Sequence, residues 1–297
     1  MRPSRPLIRR TVALAADPLG RGGRHGAFVE GPVAQAHLVL WESPLLRALG
    51  CPHGFSTRAG GVSEGPFASL NLGLCAALVD SADDAAASHE RPRVDANIER
   101  FLAACGLGDR RAVRVRQVHG AGVLDASEVT SLADDADALV ATTAAYGILV
   151  RTADCVPILL ACRRTGHVAA VHAGWRGLVA GVIEASVQRL AASGSSPDGL
   201  CAAIGPSIGV EAYEVGEEVA AAFVARDLGD VIRRDRPKPH LDCHAAAYRI
   251  LCRLGVPEES IDGEPLCTFA QPEEFFSARR DGALGGRLGA AIGVAQR

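Results

Sequence analysis

Aromatic residues make up only 4% of the 297 positions, and the single methionine is Met1. The core must therefore be built from Ala, Val, Leu and Ile, which dominate an apolar content of 48%. No apolar run approaches the roughly 18 residues that a membrane-crossing helix needs, so no membrane partner is expected. A net charge of −3 leaves no basic excess of the kind that binds nucleic acid or an anionic bilayer. The nine cysteines are odd in number and contain no Cys-x-x-Cys pair, which fits neither a secreted disulfide framework nor a structural zinc knuckle. Reduced thiols in a cytoplasmic protein are the simpler reading. There is no Gly-x-Gly-x-x-Gly or Walker loop, so a nucleotide cofactor is not expected. The nine histidines include no His-x-His, which leaves the paired imidazoles of a multicopper centre missing.

What is present begins with an extension. Residues 1–36 carry six Arg against Asp17 and Glu30, with four prolines and no sustained periodicity, and read as a disordered basic tail. The folded, catalytic part is expected to span 37–297. Val94, Ile98, Phe101, Leu102 and Cys105 keep a helical spacing that stops at Gly106. The alternating run Val113-Arg-Val-Arg116 predicts a strand ending at His119, with a partner at Gly122–Leu124. Residues 177–193 predict one amphipathic helix ended by Gly194. Further helices are expected over 215–225 and 242–254, and strands over 261–269, 275–282 and 287–294. Strands and helices mix without regular alternation, so the expectation is an α/β (α+β) single domain of layered mixed sheets flanked by helices.

The chemistry concentrates between Arg151 and Leu178. Two apolar runs joined by a turn at 163–166 predict a hairpin with Cys155 at an end of one strand and His172 at an end of the other. With His119 upstream, these residues offer two imidazoles and a thiolate, a His2Cys set that zinc accepts with a fourth position left open. The residues alone leave two other readings open. Cys155 could be a metal-free nucleophile with His172 or His119 as its base, in amide hydrolysis. Alternatively, the set could belong to a metal-storing or partner-binding module.

Seven blocks carry a resemblance. They are Phe55-Ser-Thr-Arg-Ala-Gly-Gly-Val-Ser63, Ser69-Leu-Asn-Leu-Gly73, Gln117-Val-His-Gly120, Thr152-Ala-Asp-Cys-Val-Pro157, Val171-His-Ala-Gly-Trp-Arg-Gly177, Ile204-Gly-Pro-Ser-Ile-Gly209, and Phe275-Phe-Ser277 with Arg279-Arg-Asp-Gly282. In this order they resemble the laccase-domain family, whose bacterial members were labelled polyphenol oxidases and whose relatives are described as purine nucleoside phosphorylases. The resemblance implies a zinc, or sometimes copper, site at His119, Cys155 and His172. It implies phosphorolysis of adenosine, inosine or guanosine, with adenosine deamination and methylthioadenosine phosphorolysis as related activities. A copper-dependent polyphenol oxidase is the competing enzyme reading.

For phosphorolysis the partners are a purine nucleoside and phosphate, and the site needs cations. Arg58 and Arg176, each in a glycine-rich block, are the candidates, because a guanidinium offers phosphate a forked donor. Asp154 is expected to support a neighbouring group, while Ser69 and Asn71 are expected either to meet a ribose or to shape a turn. His240 and His244 are expected to be solvent-exposed. The oligomeric state is not legible.

Overall fold

β8 (Val156–Cys162) and β9 (Val168–Ala173) are buried along their whole length, as continuous apolar strands covered on both faces should be. Val156, Ile158 and Leu160 of β8 face one apolar layer with Ala169, Val171 and Ala173 of β9. Leu159, Ala161, Val168 and Ala170 face another. This is the two-residue period of a strand, and it sets the plan of the molecule.

The structure is a computed structural model, and it describes residues 5–14, 37–74 and 84–296. The β8–β9 hairpin is the middle of a six-stranded sheet in the order β13 (Ile261–Asp262), β10 (Leu200–Ile204), β8, β9, β6 (Ala138–Ala141), β5 (Val123–Asp125). A second six-stranded sheet runs β1 (Ile8–Ala13), β2 (His37–Glu42), β3 (His53–Ser56), β14 (Leu288–Ile292), β7 (Tyr146–Thr152), β4 (Arg111–Val113). Both are mixed: β4 pairs with β7 and β5 with β6 in parallel, while β8 and β9 are antiparallel. The sheets pack face to face through Leu159, Ala170, Ile148, Val150, Ala290 and their neighbours. A short ribbon of β11 (Ile232–Arg233) and β12 (His240–Leu241) lies apart.

Helices close the outer faces. After the short α1 (Pro44–Ala48), α2 (Asp84–Ala104) lays Val94, Ile98, Phe101 and Leu102 against Leu38, Leu40 and Leu149 of the second sheet. On the first sheet, α3 (Trp175–Ala180), α4 (Val182–Ala192), α5 (Glu217–Val224) and α6 (Cys243–Arg253) contribute Leu178, Ile183, Phe223 and Leu251. Fully burying a side chain of this size contributes about 1.5–3 kcal/mol. α7 (Ala278–Asp281) is a single turn whose N-cap, Ser277, accepts a hydrogen bond from the Arg280 amide. The expected layered mixed sheets with flanking helices are thus the fold.

Several local expectations are corrected. The extension is not disordered throughout: residues 8–13 form β1, which pairs antiparallel with β2, and Leu7 is buried. The backbone edge of β2 calls for a partner, and a strand that is mostly exposed carries no apolar periodicity to announce it. Residues 15–36 lie outside the described residues, as do 75–83. The strand expected to end at His119 stops at Val113, and its supposed partner, now β5, joins the other sheet. The helix expected over 177–193 is two helices, because Gly181 adopts φ +90° and ends α3. Residues 275–282 form a loop and α7 rather than a strand. His240 is buried, with Nδ1 2.8 Å from the Val210 carbonyl, rather than exposed.

Candidate functional site

Register brings two of the three candidate ligands together. Val156 pairs with Ala173 and Pro157 with His172, so Cys155, one residue before β8, is a diagonal neighbour of His172 on the same face of the hairpin. His119 arrives from the loop between β4 and β5 with its backbone at φ +59°. That left-handed conformation is uncommon outside glycine, and here the surroundings hold it. The ligand atoms of His119, Cys155 and His172 all lie within 4.8 Å of one another. The two imidazoles meet edge to face at 4.9 Å between centroids.

One side chain assembles this cluster, and no motif in the sequence announces it. Asp137 is fully buried at the entrance to β6. Its carboxylate accepts hydrogen bonds from the His119 amide at 3.0 Å and the Gly120 amide at 2.6 Å, and from His172 Nδ1 at 2.8 Å. The His172 amide donates to the Asp137 carbonyl at 2.7 Å. Burial pushes the Asp137 carboxyl up, but the hydrogen bonds from His172 and the backbone outweigh it and hold it below the usual carboxylate range. An ionised carboxylate can only accept, so the shared proton sits on His172 Nδ1 and Nε2 is left for Cys155 or a metal. In the sequence, Asp137 is only the last acidic residue of the run Asp134-Asp-Ala-Asp137.

Cys155 and His172 shift one another toward their charged forms. Burial raises the Cys155 thiol, but the His172 charge and hydrogen bonds from both imidazoles overcome it, leaving the thiol at about 6. Burial lowers His172, yet the thiolate and Asp137 lift it to about 9. The donor set fits a metal. Zinc holds sulfur at about 2.3 Å and nitrogen at about 2.0 Å, so its tetrahedral donors stand about 3.5 Å apart. Side-chain rotations of about an ångström close the cluster around such an ion, with the tautomer of His172 already fixed.

The three residues line a cleft of about 260 Å³ together with Gln117, Arg151 and Arg287. Gln117 and Arg151 exchange two hydrogen bonds, Gln117 Nε2 to the Arg151 carbonyl at 2.7 Å and the Arg151 amide to Gln117 Oε1 at 2.8 Å. This ties the His119 loop to β7. The Arg287 amide donates to Asn71 Oδ1 at 2.8 Å and its guanidinium to the carbonyls of Gly285 and Gly286, while Gly73 packs against the side chains of both Arg151 and Arg287. Burial and the like charges of Arg114 and Arg287 lower Arg151 to about 10, still charged at neutral pH. Neither arginine stood out in the sequence, where Arg151 is the end of an apolar run and Arg287 sits in a glycine-rich tail.

The cations expected from the sequence lie elsewhere. Arg58 is not among the cleft-lining residues: its guanidinium donates to the carbonyls of Ala68 and Pro272 and stacks on Phe276 at 4.6 Å. Arg176 is exposed, lies over the Trp175 ring at 4.4 Å, and lines a neighbouring depression. Asp154 accepts from Thr268 Oγ1 at 2.6 Å and from the Arg279 amide at 2.7 Å, anchoring α7 beside Cys155. Asn71 is fully buried and Ser69 Oγ accepts from the amides of Gly60 and Gly61, so both shape the loop.

Comparison with known proteins agrees with this geometry. The family described as multi-copper polyphenol oxidoreductase laccase matches residues 52–295. A protein of Deinococcus radiodurans named purine nucleoside phosphorylase is 40% identical over 256 residues, covering 86% of this chain and 94% of its own length. The Escherichia coli K12 protein named purine nucleoside phosphorylase YfiH is 40% identical over 233 residues, covering 77% of this chain and 88% of its own. Among solved structures, YlmD from Geobacillus stearothermophilus superimposes with a TM-score of 0.76 at 30% identity, covering 87% of this chain and 96% of its own. A match over residues 52–295, with relatives at this identity, places the chain in the laccase-like family.

Proposed function

We propose that this protein is a metal-dependent purine nucleoside phosphorylase, with zinc at His119, Cys155 and His172. The observation that carries the reading is that this donor cluster shares one cleft with the guanidinium groups of Arg151 and Arg287. Phosphorolysis needs a bound phosphate beside a nucleoside whose leaving base must be stabilised. Arg151 and Arg287 are assigned to the phosphate, which relieves the repulsion between two neighbouring cations. A bound metal supplies a Lewis acid that polarises a substrate oxygen. Asp137 holds His172 in the tautomer that presents Nε2, and Gln117 holds the His119 loop against the strand that carries Arg151.

Zinc is preferred over copper on the donor set. The sole methionine is Met1, so none of the site's own loops offers the axial thioether common in blue-copper centres. Among the described residues one His/Cys cluster is found, whereas multicopper oxidation requires several.

The test is metal analysis of protein purified without added metal, paired with release of free base from a panel of nucleosides, with and without phosphate. Phosphate-dependent release is expected, with ammonia followed in parallel to detect adenosine deamination. His119→Ala, Cys155→Ala and His172→Ala are each expected to lose metal and turnover together. Full turnover in any of the three sinks the proposal. Activity that survives metal removal but not thiol alkylation would point instead to a cysteine nucleophile.

A further inference from the structure

A second depression of about 400 Å³ lies beside the metal cleft. Ala278 lines the first and Arg279 the second, and consecutive Cα atoms stand about 3.8 Å apart. The other wall follows the same pattern: His172 lines the first cleft, and Trp175, three residues on, lines the second. The metal-cleft cations and donors account for phosphate and sugar, and among its described lining residues there is no Phe, Tyr or Trp. This depression holds two. Trp175 carries the Arg176 guanidinium over its ring at 4.4 Å, and Tyr213 carries that of Arg279 at 5.2 Å.

The two stacks differ in how firmly they are held. Both terminal nitrogens of Arg279 donate to the Glu214 carbonyl, at 3.1 and 3.2 Å, which holds this guanidinium in place over the Tyr213 ring. Arg176 has no hydrogen-bond partner among the described residues and is free to shift when a ring enters. Burial and the charges of Cys243 and Cys155 push the Tyr213 phenol up, so it remains a donor at any working pH. Glu218 lines the same depression and presents a carboxylate acceptor. Glu214 lines it too, but its carboxylate is paired with Lys238 at 2.7 Å. Flat π faces, guanidinium groups and a carboxylate acceptor are what a purine base is recognised by: stacking, with a hydrogen bond from a ring or exocyclic N–H.

We infer that this depression holds the purine base of the nucleoside, stacked at Trp175 and Tyr213, while sugar and phosphate occupy the metal cleft. The inference rests on the phosphorylase reading for its substrate but makes a separate claim about where the base binds. The leaving base then departs on the side away from Arg151 and Arg287, so it does not have to pass the phosphate.

The chain has two tryptophans, Trp41 and Trp175, and Trp41 lies in β2 on the other sheet, hydrogen-bonded to Glu274. In W41F, indole fluorescence therefore reports Trp175 alone. Titration of metal-replete W41F with adenosine, and separately with adenine, in phosphate-free buffer is expected to change that emission saturably. Tyr213→Leu and Trp175→Leu are each expected to raise the nucleoside KM about tenfold, with the phosphate KM changed less than about twofold. A flat titration overturns the inference, as does an unchanged nucleoside KM in both variants. So does inorganic phosphate alone reproducing the adenosine signal, which would mark an anion site. If the parent protein releases no base from any nucleoside yet Trp175 still reports saturable binding of adenine, the phosphorylase reading fails and the base site stands.

Discussion

Gly174 faces Cys155 across the hairpin so closely that a β-carbon at Gly174 would stand 3.0 Å from the Cys155 sulfur and 3.1 Å from Cδ2 of His119. A side chain there would press on both groups, which would each have to give by a few tenths of an ångström. Gly174→Ala is expected to keep the fold, since the position starts a helix at an ordinary φ of −71°. It is expected to push the sulfur and the His119 ring apart. Metal content per chain should fall well below that of the parent while the far-ultraviolet circular dichroism is unchanged. A fully metallated variant would mean that the cluster has slack the distances do not show.

Asp137→Asn replaces a carboxylate that accepts from two ligand-bearing segments with an amide that also donates. Partners that orient a ligating histidine typically contribute about 10- to 100-fold in metal affinity. A loss of that size is expected, measured by competition with a chelator of known affinity. Parent-like affinity would leave His172 oriented by packing alone.

Metal uptake should release protons in a pattern set by Cys155 and His172. His172, raised to about 9, is protonated in the metal-free protein below that pH and must give up its proton to bind. Cys155, lowered to about 6, is already ionised above that pH and costs nothing further. Between about pH 6 and 9 the affinity should therefore weaken about tenfold for each unit the pH falls, and more steeply below 6, where the thiol also takes a proton. Calorimetry in buffers of different ionisation enthalpy counts the protons, and a count near zero at pH 7.5 would contradict the pair.

Arg151→Met is expected to raise the phosphate KM about tenfold or more, because hydrogen bonds to charged groups contribute about 1.5–3 kcal/mol. Arg151→Lys keeps the charge but not the fork and should fall between the two. Arg58→Lys, which alters a guanidinium bound to backbone carbonyls, should leave that KM near the parent value. The reverse ranking would return the phosphate to Arg58.

How far the sequence could be read follows from what each residue does. Cys155 and His172 were legible because they flank unbroken apolar runs whose pairing is dictated by a short turn. His119 was legible as a member of the cluster but not in its setting, since a loop at φ +59° leaves no periodic trace. Asp137 was hidden because its work is to accept backbone amides, a role that shows only when the chain is folded. Arg151 and Arg287 were hidden for a topological reason. They lie 136 residues apart (287 − 151) and meet because β14 pairs with β7, placing Leu288 opposite Thr152. Arg58 and Arg176 attracted notice through their glycine-rich neighbours, yet neither lines the cleft that holds the three donors.

That same pairing has a consequence for biosynthesis. β14 lies between β3 and β7, so the sheet has a gap at its centre until residues 288–292 have left the ribosome. Until then the nascent chain displays two raw strand edges, the kind of surface on which chains stick to one another. Arg287, one residue before β14, is delivered in the same step that seals the gap. A ribosome-bound intermediate should thus depend on holdase chaperones and lack anion affinity, acquiring solubility and substrate recognition together.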